Sequence, residues 1–196
     1  MRTIQILPKV LMSTILMLTI FAFASCTDNN DTKKEDSKEI ADDKNDAKFE
    51  ARDKERDAEF LTEVTEINLT EIKLGQLAQQ KSKNAEVIKL GKMMETDHTK
   101  TLEEVKDLAG KKQVTLPTDL SAKMQKEYDE LNTKNAKEFD KEYTDMMIEG
   151  HKDAISLFEK TLKDTKDVDI NNWAEKTLPA LRMHLEHSEA CRKNLK

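Results

Sequence analysis

The chain has 196 residues, 37% of them charged, and a formal net charge of −6 at pH 7. That acidic excess argues against nucleic acid as a partner and against a basic membrane-binding face. Four glycines in the entire chain, no strand signals and a Lys/Glu/Leu/Ala-rich stretch from Ala58 onward predict an all-α protein.

The first 25 residues read as a lipoprotein signal peptide. Arg2 and Lys9 form a short positive region, and Val10 to Ala24 form an apolar run shorter than the roughly 20 residues a membrane span needs. Ala24 and Ser25 precede Cys26, the pattern at which the thiol is alkylated by a diacylglycerol and the peptide cut before it. Cys26 is therefore the expected lipidation site. The partner it implies is a membrane, and the expected location is the bacterial cell envelope, most naturally the outer membrane. Removing the signal removes two positive charges and takes the net charge from −6 to −8. The mature chain then has one other cysteine, Cys191, so no internal disulfide is available.

Residues 26–57 contain almost no large apolar side chains. Such a segment cannot offset chain entropy by burial, so it is expected to be a solvated, disordered tether, with its last part from about Ala41 a candidate extension of the first helix. A chain of that length would hold a domain on the order of 30 Å from the bilayer. Residues 58–196 are expected to fold as one domain.

Four long helices follow. The first, about Ala58 to Gln80, has the inner stripe Phe60, Val64, Ile67, Glu71, Leu74, Ala78. Asn84 is the expected N-cap of the second, which ends near Gly110 and carries Val87, Gly91, Met94, His98, Thr101, Val105 and Leu108. A shorter helix around Leu120 to Leu131, capped by Thr118 or Asp119, precedes the third. The third runs from about Ala136 to Leu162, with Phe139, Tyr143, Met147, His151, Ala154, Phe158 and Leu162. The fourth starts at Asp169 or Asn171 and carries Ala174, Leu178, Leu181, His184 or Leu185, Ser188, Cys191 and Leu195. Pro179 is expected to kink it or to start its main segment. The expected fold is an up-and-down four-helix bundle with an extra short helix between helices two and three.

Glu71, His98, His151 and His184 each fall near the middle of one helix, so in an antiparallel bundle they share one buried layer. Glu95, three residues before His98, Asp97 beside it, and Glu66 bring further carboxylates close. The segments Met93-Met94-Glu-Thr-Asp-His98 and Met146-Met147-Ile-Glu-Gly-His151 echo each other and place a thioether one turn from each histidine. His with carboxylate suits zinc or iron, and His with Met suits copper. The candidate metal ligands are Glu71, Glu95, His98, His151 and His184, for a Zn, Cu or Fe ion. The alternative is a hydrogen-bonded polar layer that fixes helix register. His187 joins that layer or faces solvent, Cys191 is expected to be a small buried apolar residue, and Trp173 is expected to pack one end.

The segments Glu71-Ile-Lys-Leu-Gly-Gln-Leu-Ala, Met94-Glu-Thr-Asp-His98, Val114-Thr-Leu-Pro117, His151-Lys-Asp-Ala-Ile-Ser-Leu-Phe158 and Thr177-Leu-Pro-Ala-Leu-Arg-Met-His184-Leu resemble a family of bacterial envelope proteins. That family is labelled "predicted outer membrane protein" or domain of unknown function and grouped with the ferritin-like bundles. The resemblance covers about residues 58–195 and implies a ferritin-like fold and an envelope location, with no settled activity. Met146 to Ile155 is also similar to a His-containing motif of a second, metal-linked ferritin-like family, with Gly150 in place of one of that motif's paired histidines. Ferritin-like di-iron proteins take a Glu from two helices and Glu-x-x-His from the other two. Glu71 and Glu95-x-x-His98 match half of that pattern. His151 on helix three and Leu181 on helix four depart from it, so a mononuclear or His-rich site fits better than a di-iron oxidase. Two functions follow as expectations: a tethered envelope protein binding a transition metal for storage, sensing or stress protection, or an envelope interaction or structural module with a purely structural polar core.

Overall fold

A computed structural model describes residues 36–195. Among the described residues there are six helices and no strand: α1 Ser37–Asp46, α2 Arg52–Lys81, α3 Ala85–Lys112, α4 Ala122–Thr133, α5 Ala136–Asp164 and α6 Val168–Asn194. None of them is long and apolar enough to cross a membrane. The signal segment and Cys26 lie outside the described residues.

Side-chain caps set most helix starts. Asn84 accepts from the Glu86 N–H, Asn135 from Lys137 and Glu138, and Asp167 from Asp169 and Ile170, each satisfying amides that have no partner inside the helix. α4 begins later than expected, because Ser121 rather than Thr118 or Asp119 supplies its cap, on Met124. α3 ends at Gln113, which takes the left-handed conformation at φ 59°; Gly110 stays inside the helix. α6 starts one residue before the expected window and continues through Pro179.

The long helices α2, α3, α5 and α6 pack side by side, α2 on α3 and α5, and α6 on α5 and α3. Two apolar clusters fix their directions. One joins Phe60 and Val64 of α2 with Val105 and Leu108 of α3, Phe158 of α5 and Ile170 and Ala174 of α6. The other joins Leu74 and Ala78 with Val87 and Met94, Phe139 and Tyr143, and Cys191. Thus α2 and α6 run one way, and α3 and α5 run the other. The expected alternation of direction along the chain therefore breaks between α3 and α5, which are parallel. Residues 113–135, with α4, carry the chain back along the helices, and Leu131 enters the second cluster. At the other end Phe60 meets Phe158 edge-on at 5.1 Å and Trp173 at 6.1 Å, burying the aromatic area that Trp173 was expected to cover there.

The expectation of a disordered tether up to residue 57 fails over residues 36–57. α1 packs on α2, with Ala41 and Asn45 buried. Its anchors are mostly polar: Asn45 Nδ2 donates to the Thr115 carbonyl at 2.9 Å, and its Oδ1 accepts from the Thr115 N–H at 2.8 Å. Asp36 caps α1 and also accepts from the Ala122 N–H at 2.8 Å. Hydrogen bonds to the 113–122 segment thus hold a stretch that has too few apolar residues to dock by burial alone.

Where α2 crosses α3 the backbones touch. A Cβ on Gly75 would lie 2.6 Å from the Gly91 carbonyl oxygen, and one on Gly91 would lie 2.7 Å from the Gly75 oxygen. Only glycine fits such an approach, and it draws the C-terminal third of α2 against the first turns of α3.

Candidate metal centre

Between the two apolar clusters lies one polar layer. It takes Glu71 from α2, His98 from α3, His151 from α5 and His184 from α6, each 1–4% exposed. The three imidazoles form a nearly equilateral triangle, with ring centroids 5.5 Å apart for His98–His151 and 5.3 Å for each ring to His184. One ring nitrogen from each lies within 4.8 Å of the other two.

Each ring has one nitrogen tied outward. His98 Nδ1 lies 3.0 Å from Asn68 Oδ1. Asn68 donates its own Nδ2 to the Val64 carbonyl at 2.7 Å, which leaves its oxygen for the ring, so His98 Nδ1 is the donor. His151 Nδ1 donates to the Met147 carbonyl at 2.8 Å. His184 Nε2 lies 2.9 Å from the Asp97 carboxylate. All three outward partners are acceptors, so the outward nitrogens carry the protons. The remaining nitrogens, His98 Nε2, His151 Nε2 and His184 Nδ1, are buried lone-pair acceptors with no hydrogen-bond partner. Glu71 Oε2 and the Tyr143 hydroxyl are buried and unpaired as well.

Burial is the main cause of every shift in the layer. It holds His98 well below the usual histidine range, reinforced by the other two rings, and brings His151 to about 4 despite the Met147 bond. His184 is also lowered by burial, partly offset by Asp97. At neutral pH the rings are therefore neutral imidazoles, the form that ligates metals. Glu71 is pushed up to about 8 by burial, so its carboxyl is mostly protonated at pH 7 unless a cation sits beside it. Its Oε1 lies 3.6 Å from His151 Nδ1. A Cβ on Gly150 would lie 3.4 Å from that oxygen, at ordinary van der Waals contact.

The layer thus brings together four of the five expected ligands. Glu71 adjoins His151 but stands outside the trio of converging nitrogens. Glu95 is a correction: its carboxylate turns to the α2–α3 surface, where Gln76 and Gln79 donate to it at 2.9 and 2.7 Å and hold its pKa below the usual range. Three residues before His98 is about 60° around the helix, enough to leave the inner face. Glu95-x-x-His98 is therefore no ligand pair. Glu66 is buried at the other edge of α2, its pKa raised by burial and restrained by a bond from Ser121. Asp97 serves as the outward partner of His184. Asn68 was not foreseen; its one signal in the sequence is an amide one turn before Glu71 on an inner face. Met94 and Met147 are buried in the second apolar cluster, His187 is exposed, and Cys191 is buried with its thiol pushed up to about 11.

Three histidines with outward nitrogens fixed by an amide, a backbone carbonyl and a carboxylate are what a metal site uses to set tautomer and ring orientation. Metal–nitrogen distances of about 2.0–2.1 Å place tetrahedral ligands roughly 3.3 Å apart. The trio would need to close by about 1–1.5 Å, which small side-chain rotations provide.

A solved structure, CopM in the Cu(II)-bound form, has the same fold: TM-score 0.59 at 20% sequence identity, covering 71% of this chain and 98% of that chain. No curated protein matches. Residues 43–191 match the family described as Domain of unknown function (DUF4142), and the chain belongs to that family.

Proposed function

We propose that this domain binds one transition-metal ion through His98, His151 and His184, with Glu71 as the neighbouring carboxylate. The observation that carries this reading is the clustering of three buried imidazoles, one nitrogen of each within 4.8 Å of the other two, each ring with one nitrogen tied to an acceptor and the other left without a partner. A self-contained structural layer would pair donors with acceptors inside the layer. Here each of three clustered rings keeps a buried nitrogen without a hydrogen-bond partner, and each buried group left without a partner costs about 1–3 kcal/mol. A cation is what three lone pairs accept in common. With Glu71 ionised and Asp97 behind His184, a dication would also be neutralised locally.

Copper is the ion we favour. Imidazole ligation suits copper and zinc, the divalent order of affinity peaks at copper, and thioethers lie one turn from two of the histidines. CopM, of the same fold, is Cu(II)-bound. The four long helices are best read as a ferritin-like four-helix bundle, which the single long crossover between α3 and α5 supports. The Cys26 pattern supports a lipid-anchored protein of the bacterial envelope, most naturally at the outer membrane. Together these give a tethered metal-sequestering or metal-carrying module.

Thermal unfolding with and without metal tests the reading. An ion that binds only the folded state, at about 100 times its dissociation constant, adds roughly 2.7 kcal/mol of stability. Cu(II) or Zn(II) should raise the melting temperature of wild type, and a chelator should reverse the rise. His98→Ala, His151→Ala and His184→Ala should each abolish most of it. A structural layer predicts instead no metal response in wild type and destabilisation in each variant.

A further inference from the structure

The α3–α6 seam outside His184 carries a second group of soft ligands. Its register is fixed by Trp173 Nε1 donating to Glu104 at 3.1 Å, Lys176 against Glu104 at 3.8 Å, and His184 on Asp97 at 2.9 Å. Met183 and His187 lie seven and eleven residues after Lys176, about two and three helical turns on, so they continue the stripe that Lys176 turns toward α3. In this antiparallel register Met183 lies level with Asp97, and His187 level with Met93. Met183 is 41% exposed, one of two large apolar side chains so exposed among the described residues. Met93 is partly buried and His187 exposed. Asp97 spans the boundary: its side chain is 43% exposed, yet it holds the buried His184.

An exposed thioether and an imidazole one turn apart on one helix share a face. Methionine and histidine together select copper over harder ions. Of the three ring nitrogens tied outward, the one on His184 is bonded to a partly exposed side chain, while those on His98 and His151 are held by the buried Asn68 and by the Met147 carbonyl.

We propose that Met183 and His187 on α6, set against Asp97 and Met93 on α3, form an outer docking site for a copper ion through which the histidine centre is loaded. The proposal rests on the reading of that centre as a copper site. An ion held by Met183 and His187 is one side chain away from His184. Release of His184 by Asp97 lets the ring turn toward the seam and carry the ion inward.

The test uses the full chain in detergent. Silver(I), a soft ion that does not change oxidation state here, is titrated against protein labelled at its methionine methyl groups. Loading is followed separately by stopped-flow transfer of Cu(I) from bicinchoninate. The Met183 and Met93 methyl signals should move at the first additions of silver. The Met183→Leu/His187→Gln variant should load at least tenfold more slowly, with unchanged final occupancy of the histidine centre. Equal loading rates, or silver shifts that spare Met183, would overturn the proposal while leaving the centre intact. Wild type that takes up no copper at all would refute the centre and this proposal together.

Discussion

Glu71 offers a quantitative test that needs no metal. Its carboxyl is 4% exposed, and burial raises its pKa from 4.5 to about 8. A raised folded-state pKa means that the folded protein holds a proton that the unfolded chain releases. The stabilising contribution is therefore complete below pH 4.5 and is lost as pH rises toward 8. The histidines run the other way. Burial lowers His151 from 6.5 to about 4, so its contribution is complete above pH 6.5 and is lost as pH falls toward 4. Between pH 6.5 and 8 Glu71 titrates while the unfolded histidines give up their last protons, an opposite contribution that wild type shares with Glu71→Gln. Over that window, at 1.36 kcal/mol per pH unit, the metal-free protein should lose about 2 kcal/mol relative to Glu71→Gln, or roughly 4–8 °C in melting temperature for a domain of this size. Glu71→Gln removes the titration and should show no loss over that interval, while keeping the acid-side loss due to the histidines. Groups shared by both proteins, such as Glu66, cancel in the comparison. Melting curves in a chelating buffer at closely spaced pH values read it directly. Parallel slopes for wild type and Glu71→Gln would show that Glu71 is not the buried, protonated group described here.

Three further outcomes follow. Asp97→Asn and Asn68→Ala, which disturb the outward bonds of His184 and His98, should weaken metal affinity about 10- to 100-fold while leaving the ligands in place; competition with a chelator measures it, and unchanged affinity would discount the outward bonds. Gly91→Ala places a Cβ 2.7 Å from the Gly75 oxygen, so it should cost about 1–3 kcal/mol in denaturant unfolding; a neutral result would mean that the α2–α3 approach is looser than described. Cys26→Ser should abolish palmitate incorporation and leave an uncleaved precursor; persistent labelling would rule out Cys26 as the anchor.

How much of this was legible in the sequence depended on whether a feature is periodic. The inner stripes of α2, α3, α5 and α6 follow the 4-3 spacing of a buried helical face, so Phe60, Met94, Tyr143 and Ala174 fell where the spacing placed them. The same spacing found the three histidines, because each occupies a stripe position near mid-helix. Glu95 departs from the expectation because three residues along a helix turn it about 60° from His98, toward Gln76 and Gln79. Asn68 was missed because its role depends on the close α2–α3 approach at Gly75 and Gly91, a pairing between helices that no single helix encodes. The direction of α5 was not legible either, since stripe patterns read alike in both directions and only the 113–135 crossover decides it. α1 escaped because Asn45 and Asp36 dock by hydrogen bonds, which leave no hydrophobic period.

The most direct measurement of the central claim is the metal content and copper affinity of the protein purified from its native host, wild type beside His98→Ala. The account predicts close to one equivalent of transition metal per chain, with copper restoring full occupancy after chelation and with nitrogen couplings from three imidazoles in the Cu(II) resonance spectrum. His98→Ala should lose the bound ion and that pattern. Metal-free wild type that takes up neither copper nor zinc at micromolar concentrations, or a copper signal unchanged in His98→Ala, would contradict it.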